Sequence, residues 1–447
     1  MVTRGELPDG VDLHPPAEVR WIAEQLENAG FSAWAVGGAV RDALAGGQPE
    51  DWDLATSAPP REVQRLFRRT VPVGVEHGTV GVLGRSGHMY EVTTFRRDVE
   101  TFGRKARVAF SDRLEEDLER RDFTINAVAW HPLTKEVRDP HGGVRDLRIG
   151  LLRTVGDAET RFREDRLRVL RALRFAGRFN LQMDPATEAA IAASADKLDH
   201  LSHERIREEL FKVLAGQRDA STTLRLYGES GVLRALYPEL ERVRKAGGRA
   251  HAWALTLRAV DAAAPSRPLV RLAALLHRVG ERPDQEEGTE EAGEAARSSA
   301  AIARDVLRRL RCSNAETDTV VHLLAQRAPR PASDASDAQV RRWLRRVGRE
   351  HVNDMLRLLV ALCRASESDE AVNELRLLAT RVRRALRDDV PLTVDDLAIG
   401  GKELRALGIA PGPAYGEILR RLLERVTDDP ELNRAEVLLD LVREGLP

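Results

Sequence analysis

Ala33-Trp34-Ala35-Val36-Gly37-Gly38-Ala39-Val40-Arg41-Asp42, with Asp51-Trp52-Asp53 shortly beyond it, decides how the front of this chain folds. Residues 33–36 are small or apolar and fit a short buried strand. Two glycines follow, and residues 39–45 fit a helix. A glycine turn between strand and helix lets backbone N–H groups close on a phosphate at the positive end of the helix. Asp51 and Asp53 fall at alternate positions of the next expected strand, so both carboxylates face one side. A phosphate cradle beside paired carboxylates suits divalent-metal nucleotide chemistry. Each half alone is common in ordinary proteins: Gly-Gly turns abound, and Asp-x-Asp is more often a solvated strand end.

Further along, Met89-Tyr90-Glu91-Val92-Thr93-Thr94-Phe95 predicts a strand with Glu91 and Thr93 on one face. If that strand pairs near Asp51 and Asp53, Glu91 becomes a third acid of a two-metal site; otherwise it is an exposed sheet carboxylate. Strands are also predicted at 71–73 and 79–83, and a helix at 17–29 precedes the first strand. Residues 1–15 are rich in Pro and Gly and predict an irregular lead-in. The segment Leu114-Glu115-Glu116-Asp117-Leu118-Glu119-Arg120-Arg121-Asp122-Phe123-Thr124-Ile125-Asn126-Ala127 opens with an acidic helical turn and continues into dense charge. Arginines there suit phosphate clamping and Asp122 suits a ribose hydroxyl, against the alternative of an ion-paired loop.

From Ala158 onward helical periodicity takes over. The spacing predicts one helix over 161–179, with Phe162, Val169, Leu170, Leu173 and Ala176 as its apolar stripe. Glu164, Arg168 and Arg171 lie opposite, with Asp165 beside them. Glu164 and Arg168 at i,i+4 fit a routine surface pair. A carboxylate and a guanidinium at 165 and 168 also offer acceptors and donors to a base edge. Helices at 185–195 and 203–215 follow, and the rest is helical with breaks at 264–268, 283–294 and 327–336. The fold class is therefore α+β: an α/β front followed by a long all-helical remainder.

The totals narrow the function. The 447 residues predict about three domains. Aromatic residues make up 4% of the chain, too few for a base-stacking platform of the single-strand-binding kind. With 70 basic and 71 acidic residues the net charge is −1, so contact with nucleic acid must come from local patches. Cys312 and Cys363 are the only cysteines, which argues against a disulfide framework or a cysteine zinc site. No apolar run reaches about 18 residues and no secretory leader is evident, so a cytoplasmic protein without a membrane segment is expected.

The motifs, taken in order, resemble a known family. Gly37-Gly38-Ala39-Val40-Arg41-Asp42 with Asp51-x-Asp53 is similar to the signature of polymerase-β-type nucleotidyltransferases. His77-Gly78-Thr79-Val80, Arg120-Arg121-Asp122-Phe123-Thr124-Ile125-Asn126-Ala127, Glu164-Asp165-x-x-Arg168 and Ser202-His203-Glu204-Arg205-Ile206-x-x-Glu209-Leu210 extend it. The set resembles the class II tRNA nucleotidyltransferases, the CCA-adding enzymes, and their relatives the bacterial poly(A) polymerases. The likeness runs over about 30–215 and returns in Leu397-Ala398-Ile399-x-Gly401-Lys402-x-Leu404 and Pro411-Gly412-Pro413-x-x-Gly416.

The resemblance implies a lead-in (1–20), a catalytic head (21–150), a base-recognising neck (151–217), a body (218–375) and a tRNA-binding tail (376–447). It implies that Asp51 and Asp53 hold two Mg²⁺ ions, with Glu91 the third catalytic acid, and that Gly37, Gly38 and Arg41 hold the triphosphate. Asp122, with Arg121 and Asn126, would select ribose. Glu164, Asp165 and Arg168 would read CTP and then ATP without a template. Asp42 and Arg171 complete the nucleotide-binding candidates. The partner implied is the 3′ end of tRNA at its acceptor stem.

Two departures stand out. The body resembles an HD metal-phosphohydrolase module at Leu275-Leu276-His277, but the expected His-Asp pair reads His277-Arg278, and Ala295 stands where a later metal histidine is expected. An arginine there would repel a divalent ion, so the module is expected to be a scaffold without chemistry. In the loop 96–110, relatives carry an Asp-Gly-Arg-like turn where this chain reads Thr101-Phe102-Gly103-Arg104. Full CCA addition is the leading expectation. A-only addition and poly(A) polymerisation remain within the class; a phosphohydrolase or a non-catalytic RNA-binding protein lies outside it.

Overall fold

The computed structural model describes residues 4–5, 13–102, 105–246, 250–281 and 289–445. The chain packs as two compact units, one of Met1–Glu209 with Arg225–Leu236, the other of Leu210–Leu224 with Tyr237–Pro447.

The first unit is built on an eight-stranded sheet: β1 (Arg4–Gly5), β2 (Ala33–Val36), β3 (Asp53–Thr56), β4 (Thr70–Gly74), β5 (Thr79–Leu83), β6 (Met89–Thr94), β9 (Ala129–Trp130) and β10 (Val137–Arg138). The order across it is β1-β10-β9-β2-β3-β6-β5-β4. Between β6 and β9 the chain makes a separate hairpin, β7 (Arg96–Phe102) with β8 (Lys105–Phe110). All pairs in the large sheet are antiparallel except β3 with β6. Strand β2 sits in the middle and buries all four residues, alternating between the two layers. Ala33 and Ala35 join one core with Ile22, Leu26, Leu54 and Val92, while Trp34 and Val36 join another with Phe95, Leu114 and Leu118.

Helices α1 (Ala17–Asn28), α2 (Gly38–Leu44), α3 (Pro60–Leu66), α4 (Leu114–Glu119) and α5 (Gly143–Arg148) decorate the sheet. The first turns Val19, Ile22, Ala23 and Leu26 inward at the i, i+3, i+4, i+7 spacing of an amphipathic helix.

Three expectations need correction. The helix expected over 161–179 is two helices, α6 (Ala158–Glu164) and α7 (Leu167–Phe179). Asp165 breaks it: its backbone is extended, and its carboxylate accepts the Leu167 N–H at 3.1 Å. A short acidic side chain that captures a nearby backbone donor competes with continuation of the helix. The segment 96–110 is a strand hairpin, with Gly103 and Arg104 outside the described residues. The lead-in is not wholly irregular, because Arg4–Gly5 pairs with Val137–Arg138 at the sheet's edge.

The second unit is helical. Its centre includes Arg271, fully buried, whose guanidinium donates to the carbonyls of Ala263 (2.8 Å), Leu214 (2.9 Å) and Arg218 (2.8 Å). Near its C-terminus Leu397, Ile399, Leu404, Leu422, Leu423, Val426 and Leu438 close a smaller core. Among the described residues no helix is long and apolar enough to cross a membrane.

His277, just past the helix Pro268–Leu276, is a buried core histidine. Its Nδ1 lies 2.6 Å from the Ala274 carbonyl oxygen, Arg278 pairs with Glu281 at 2.8 Å, and Ala295 is buried. Burial, with the nearby Arg327 and Arg278 charges, pushes the His277 pKa down to about 3 against the pull of the Ala274 carbonyl. A folded-state pKa below the unfolded value of about 6.5 means that neutral His277 favours folding above that pH. The advantage drains away as pH falls from about 6.5 toward about 3, at up to about 1.4 kcal/mol per pH unit. His277→Leu should flatten the acid limb of a urea-unfolding series between pH 6.5 and 4.5. Parallel limbs for parent and variant would show that His277 is not buried neutral.

Candidate active site

The site forms where β2, β3 and β6 run side by side. Asp53 opens β3, and Asp51 stands just ahead of the strand rather than within it, so the pair does not share one strand. Trp52 between them is buried and anchors the approach through its indole N–H to the Pro49 carbonyl at 3.0 Å. The parallel register of Leu54 with Val92 puts Asp53 beside Glu91. Asp51 is almost fully exposed, with its Oδ1 3.9 Å from His88 Nε2.

Asp53 keeps a path to solvent, yet the strands around it strip part of its water shell. That desolvation, with the negative charge of Glu91, pushes its pKa up to about 6; Arg121 opposes the shift and Asp51 adds to it. A carboxylate raised by desolvation and by neighbouring negative charge is a donor that a divalent cation relieves. Among the described residues no three His, Cys, Asp or Glu side chains could hold an ion by themselves. The donors present fit Mg²⁺, which is commonly held by one or two carboxylates and completed by substrate phosphates.

The glycine turn joins β2 to α2. Gly37 has φ +74°, a conformation costly for any residue with a Cβ. An added Cβ would come within 3.0 Å of Arg121 Nη1. Arg121 is therefore the guanidinium beside the turn. It donates to Asp117 at 3.0 Å and to the Asn126 carbonyl at 3.3 Å, while its buried Nε finds no acceptor. Gly38 is less crowded, since a Cβ there would lie 3.7 Å from Arg41 Nη2.

Arg41, expected to face the triphosphate, faces inward instead. It is 5% exposed and donates to Asp42 (Nε, 2.8 Å) and to Asn126 Oδ1 (2.6 Å). Its guanidinium lies over the rings of Phe175 (4.7 Å) and Phe179 (4.9 Å) of α7. Burial pulls its pKa down, and Asp42 resists. Asp42 also accepts from Arg178 at 2.8 Å.

Asn126 passes the chain on, donating to Asp122 Oδ1 at 2.8 Å. Asp122 is buried and fully engaged: Oδ1 also accepts the Phe123 N–H at 2.9 Å, and Oδ2 accepts Arg171 Nε at 2.7 Å and Nη2 at 2.6 Å. Burial alone would raise its pKa, but the Arg171 charge and the hydrogen bonds hold it below the usual carboxylate range. Asp122 would meet a ribose hydroxyl only by releasing one of these donors. Asp42, Arg41, Asn126, Asp122 and Arg171 thus form one continuous polar chain from α2 to α7.

The Glu164, Asp165 and Arg168 trio does not close on itself. Arg168 donates to Glu164 Oε2 at 2.7 Å, and Arg161 donates to the same oxygen at 3.1 Å. Asp165 turns instead to Arg205, which forks onto it at 3.0 and 2.7 Å. Asp165 keeps 31% of its side-chain surface open, and Arg168 keeps 16%.

The chain as a whole is similar to known proteins. The chain is 38% identical over 324 residues to a CCA-adding enzyme of Geobacillus kaustophilus (strain HTA426), covering 67% of this chain and 80% of that one. The chain belongs to the CCA-adding enzyme family. It is 42% identical over 274 residues to the CCA-adding enzyme of Geobacillus stearothermophilus, covering 58% of this chain and 67% of that one. A crystal structure of the Bacillus stearothermophilus CCA-adding enzyme in complex with CTP superposes over 96% of this chain and 97% of its own, with TM-score 0.74 and 32% identity. The family models for a poly A polymerase head domain (33–153), a probable RNA and SrmB-binding site of polymerase A (180–243) and a putative tRNA nucleotidyltransferase domain 2 (295–442) match in that order.

In this member of the CCA-adding enzyme family, sequence reasoning missed several residues around the site. Arg205 stood inside a quoted motif, but nothing local linked it to Asp165, 40 positions earlier. Phe175 and Phe179 lie outside the apolar stripe read from the sequence, yet their rings seat the guanidinium of Arg41. Asp117 looked like one more acid of a solvated turn, but it is buried and holds Arg121.

Proposed function

We propose that this nucleotidyltransferase adds CCA to the 3′ end of tRNA from CTP and ATP. The observation that carries the reading is Asp53, its pKa raised by desolvation and by the Glu91 and Asp51 charges, set beside the Gly37-Gly38 turn and Arg121. In this reading Asp51 and Asp53, with Glu91 alongside, would hold Mg²⁺. The ion, when bound, would make the RNA 3′-hydroxyl more acidic and neutralise charge on departing pyrophosphate. Gly37 and Gly38 would offer backbone N–H groups to the triphosphate, and Arg121, rather than Arg41, would supply its guanidinium. Arg171 and Asp122 would set the floor beneath the ribose. Asp165, steadied by Arg205, would present a fixed acceptor to the base amino group, with Arg168 as the neighbouring donor. The head, neck, body and tail division given by the sequence goes with this function, as does action on tRNA in the cytoplasm.

The test is to supply CTP and ATP separately to tRNA ending at the discriminator base, at C, or at CC. The proposal expects C on the first two substrates and a single A on the third. Addition only to the CC end would make this an A-adding enzyme; a growing A tail would make it a poly(A) polymerase.

A further inference from the structure

The open face of the sheet does not stop at the acids. On β6, Met89, Glu91 and Thr93 point to the side that Asp53 faces, while Tyr90 and Val92 are buried behind them. Gly81 of β5 stands directly opposite Glu91, and Val71 of β4 directly opposite Gly81, so the same face continues outward for two more strands. It is apolar there and uncovered. Val71, Val73 and Met89 are 37%, 42% and 39% exposed, and they are half of the six large hydrophobic side chains left exposed among the described residues.

Gly81 is the floor beneath them. It is buried, and a Cβ added to it would meet Met89 Sδ at 2.6 Å and Val73 Cγ2 at 3.0 Å. The thioether and the valine methyl therefore lie over the glycine and join into one shelf. Exposed apolar groups gathered on one face mark a contact surface, whereas the same groups scattered need no explanation. Neighbouring strands lie about 4.8 Å apart, so the shelf reaches about 10 Å beyond Glu91. That is the scale of one nucleoside, and far short of the about 800 Å² a side that a stable protein interface needs. Pro72, in the edge strand β4, also works against pairing with another chain's strand.

The order of strands says which nucleoside fits. Val36 pairs with Asp53 from the β2 side, and the Gly37-Gly38 turn follows it. In the proposed reading the triphosphate lies at that turn, and the incoming base lies against α7. The order β2-β3-β6-β5-β4 puts the shelf on the other side of the carboxylates. Phosphoryl transfer sets the attacking and leaving oxygens roughly in line across the phosphorus. With pyrophosphate leaving toward the glycine turn, the attacking hydroxyl must come from over β5 and β4. We propose that Val71, Val73 and Met89, laid over Gly81, seat the base of the 3′-terminal nucleotide of the RNA, so that its 3′-hydroxyl reaches the carboxylates. The seat rests on the reading of this site as a CCA-adding centre. Two valines and a thioether make no hydrogen-bond demand and accept the flat face of any base. A seat whose occupant changes with every addition needs that tolerance.

The test uses the full-length protein and an acceptor-stem RNA hairpin whose 3′-terminal base is 2-aminopurine, which changes its fluorescence when it leaves water. Binding to the parent should change that emission. The double variant Met89→Ala/Val73→Ser should lose most of the change, and so should Gly81→Ala, whose new methyl displaces the Met89 thioether. In A addition to a hairpin ending at CC, the double variant should raise the KM for the hairpin about tenfold and leave the KM for ATP within about twofold. A misfolded variant would instead lose both. Emission that ignores binding in the parent, or that changes equally in parent and both variants, overturns the proposal, and so does a common rise in both KM values. A hairpin that is never extended sinks the CCA-adding reading alone, since the emission still decides whether the shelf holds the terminal base.

Discussion

Asp53→Ala is expected to cut single-turnover incorporation of both CTP and ATP by about a thousandfold or more, while tRNA affinity changes little. Loss of a metal ligand removes several kcal/mol of transition-state charge stabilisation, and about 4 kcal/mol is already a factor of about a thousand. RNA affinity rests on phosphate contacts with basic groups, which this carboxylate does not supply. Asp51→Ala should behave alike. The raised Asp53 pKa adds a second readout. Its folded value of about 6 lies above the ordinary carboxylate value of 3.8. Its contribution to stability is therefore present below the unfolded pKa and is lost as pH rises through about 6. A divalent ion bound at the ionised carboxylate reverses that loss, so Mg²⁺ should raise the melting temperature more at pH 7.5 than at pH 5. Rapid turnover by either alanine variant, or a Mg²⁺ shift independent of pH, would remove the pair from the metal site.

Base discrimination should fail separately. Asp165→Ala and Arg168→Ala are expected to relax selection against UTP and GTP by about ten- to a hundredfold, the cost of about 1–3 kcal/mol for a mismatched buried polar contact. Arg205→Ala should reproduce the Asp165 effect, because the carboxylate is then free to rotate away from its fork. Asp53→Ala should instead lower the rate with no measurable change in preference. The measurement is single-turnover incorporation of each of the four nucleotides onto tRNA lacking its 3′ end. If the two neck variants slow all four by one common factor, Asp165 and Arg168 are structural.

The parts of the molecule set by local periodicity were legible in advance. The buried strands at 33–36 and 79–83 and the glycine turn follow from local pattern and chain order, whereas the placing of Glu91 near Asp53 waited on which strands pair. The break at Asp165 was not legible, because Phe162 and Val169 keep helical spacing straight across it. Periodicity reports which side of a helix is apolar; it carries no record of a side chain that captures a backbone N–H. The inward turn of Arg41 was not legible for the opposite reason. A guanidinium in a phosphate-like motif suggests an outward charge, but Asn126 and Phe175 come from 85 and 134 positions away to bury it.

The chain from Asp42 through Arg41, Asn126 and Asp122 to Arg171 also bears on how this head can change over generations. Removing one partner of a buried ion pair costs about 3–5 kcal/mol, a large part of the about 5–15 kcal/mol that holds a domain together. A lone substitution at any of these positions therefore removes much of the margin before it can be tested for a new activity. Inherited change should spare these five or replace them as a group. New specificities should arise at the more open Asp165, where a single exchange leaves the rest of the hydrogen-bonded set in place.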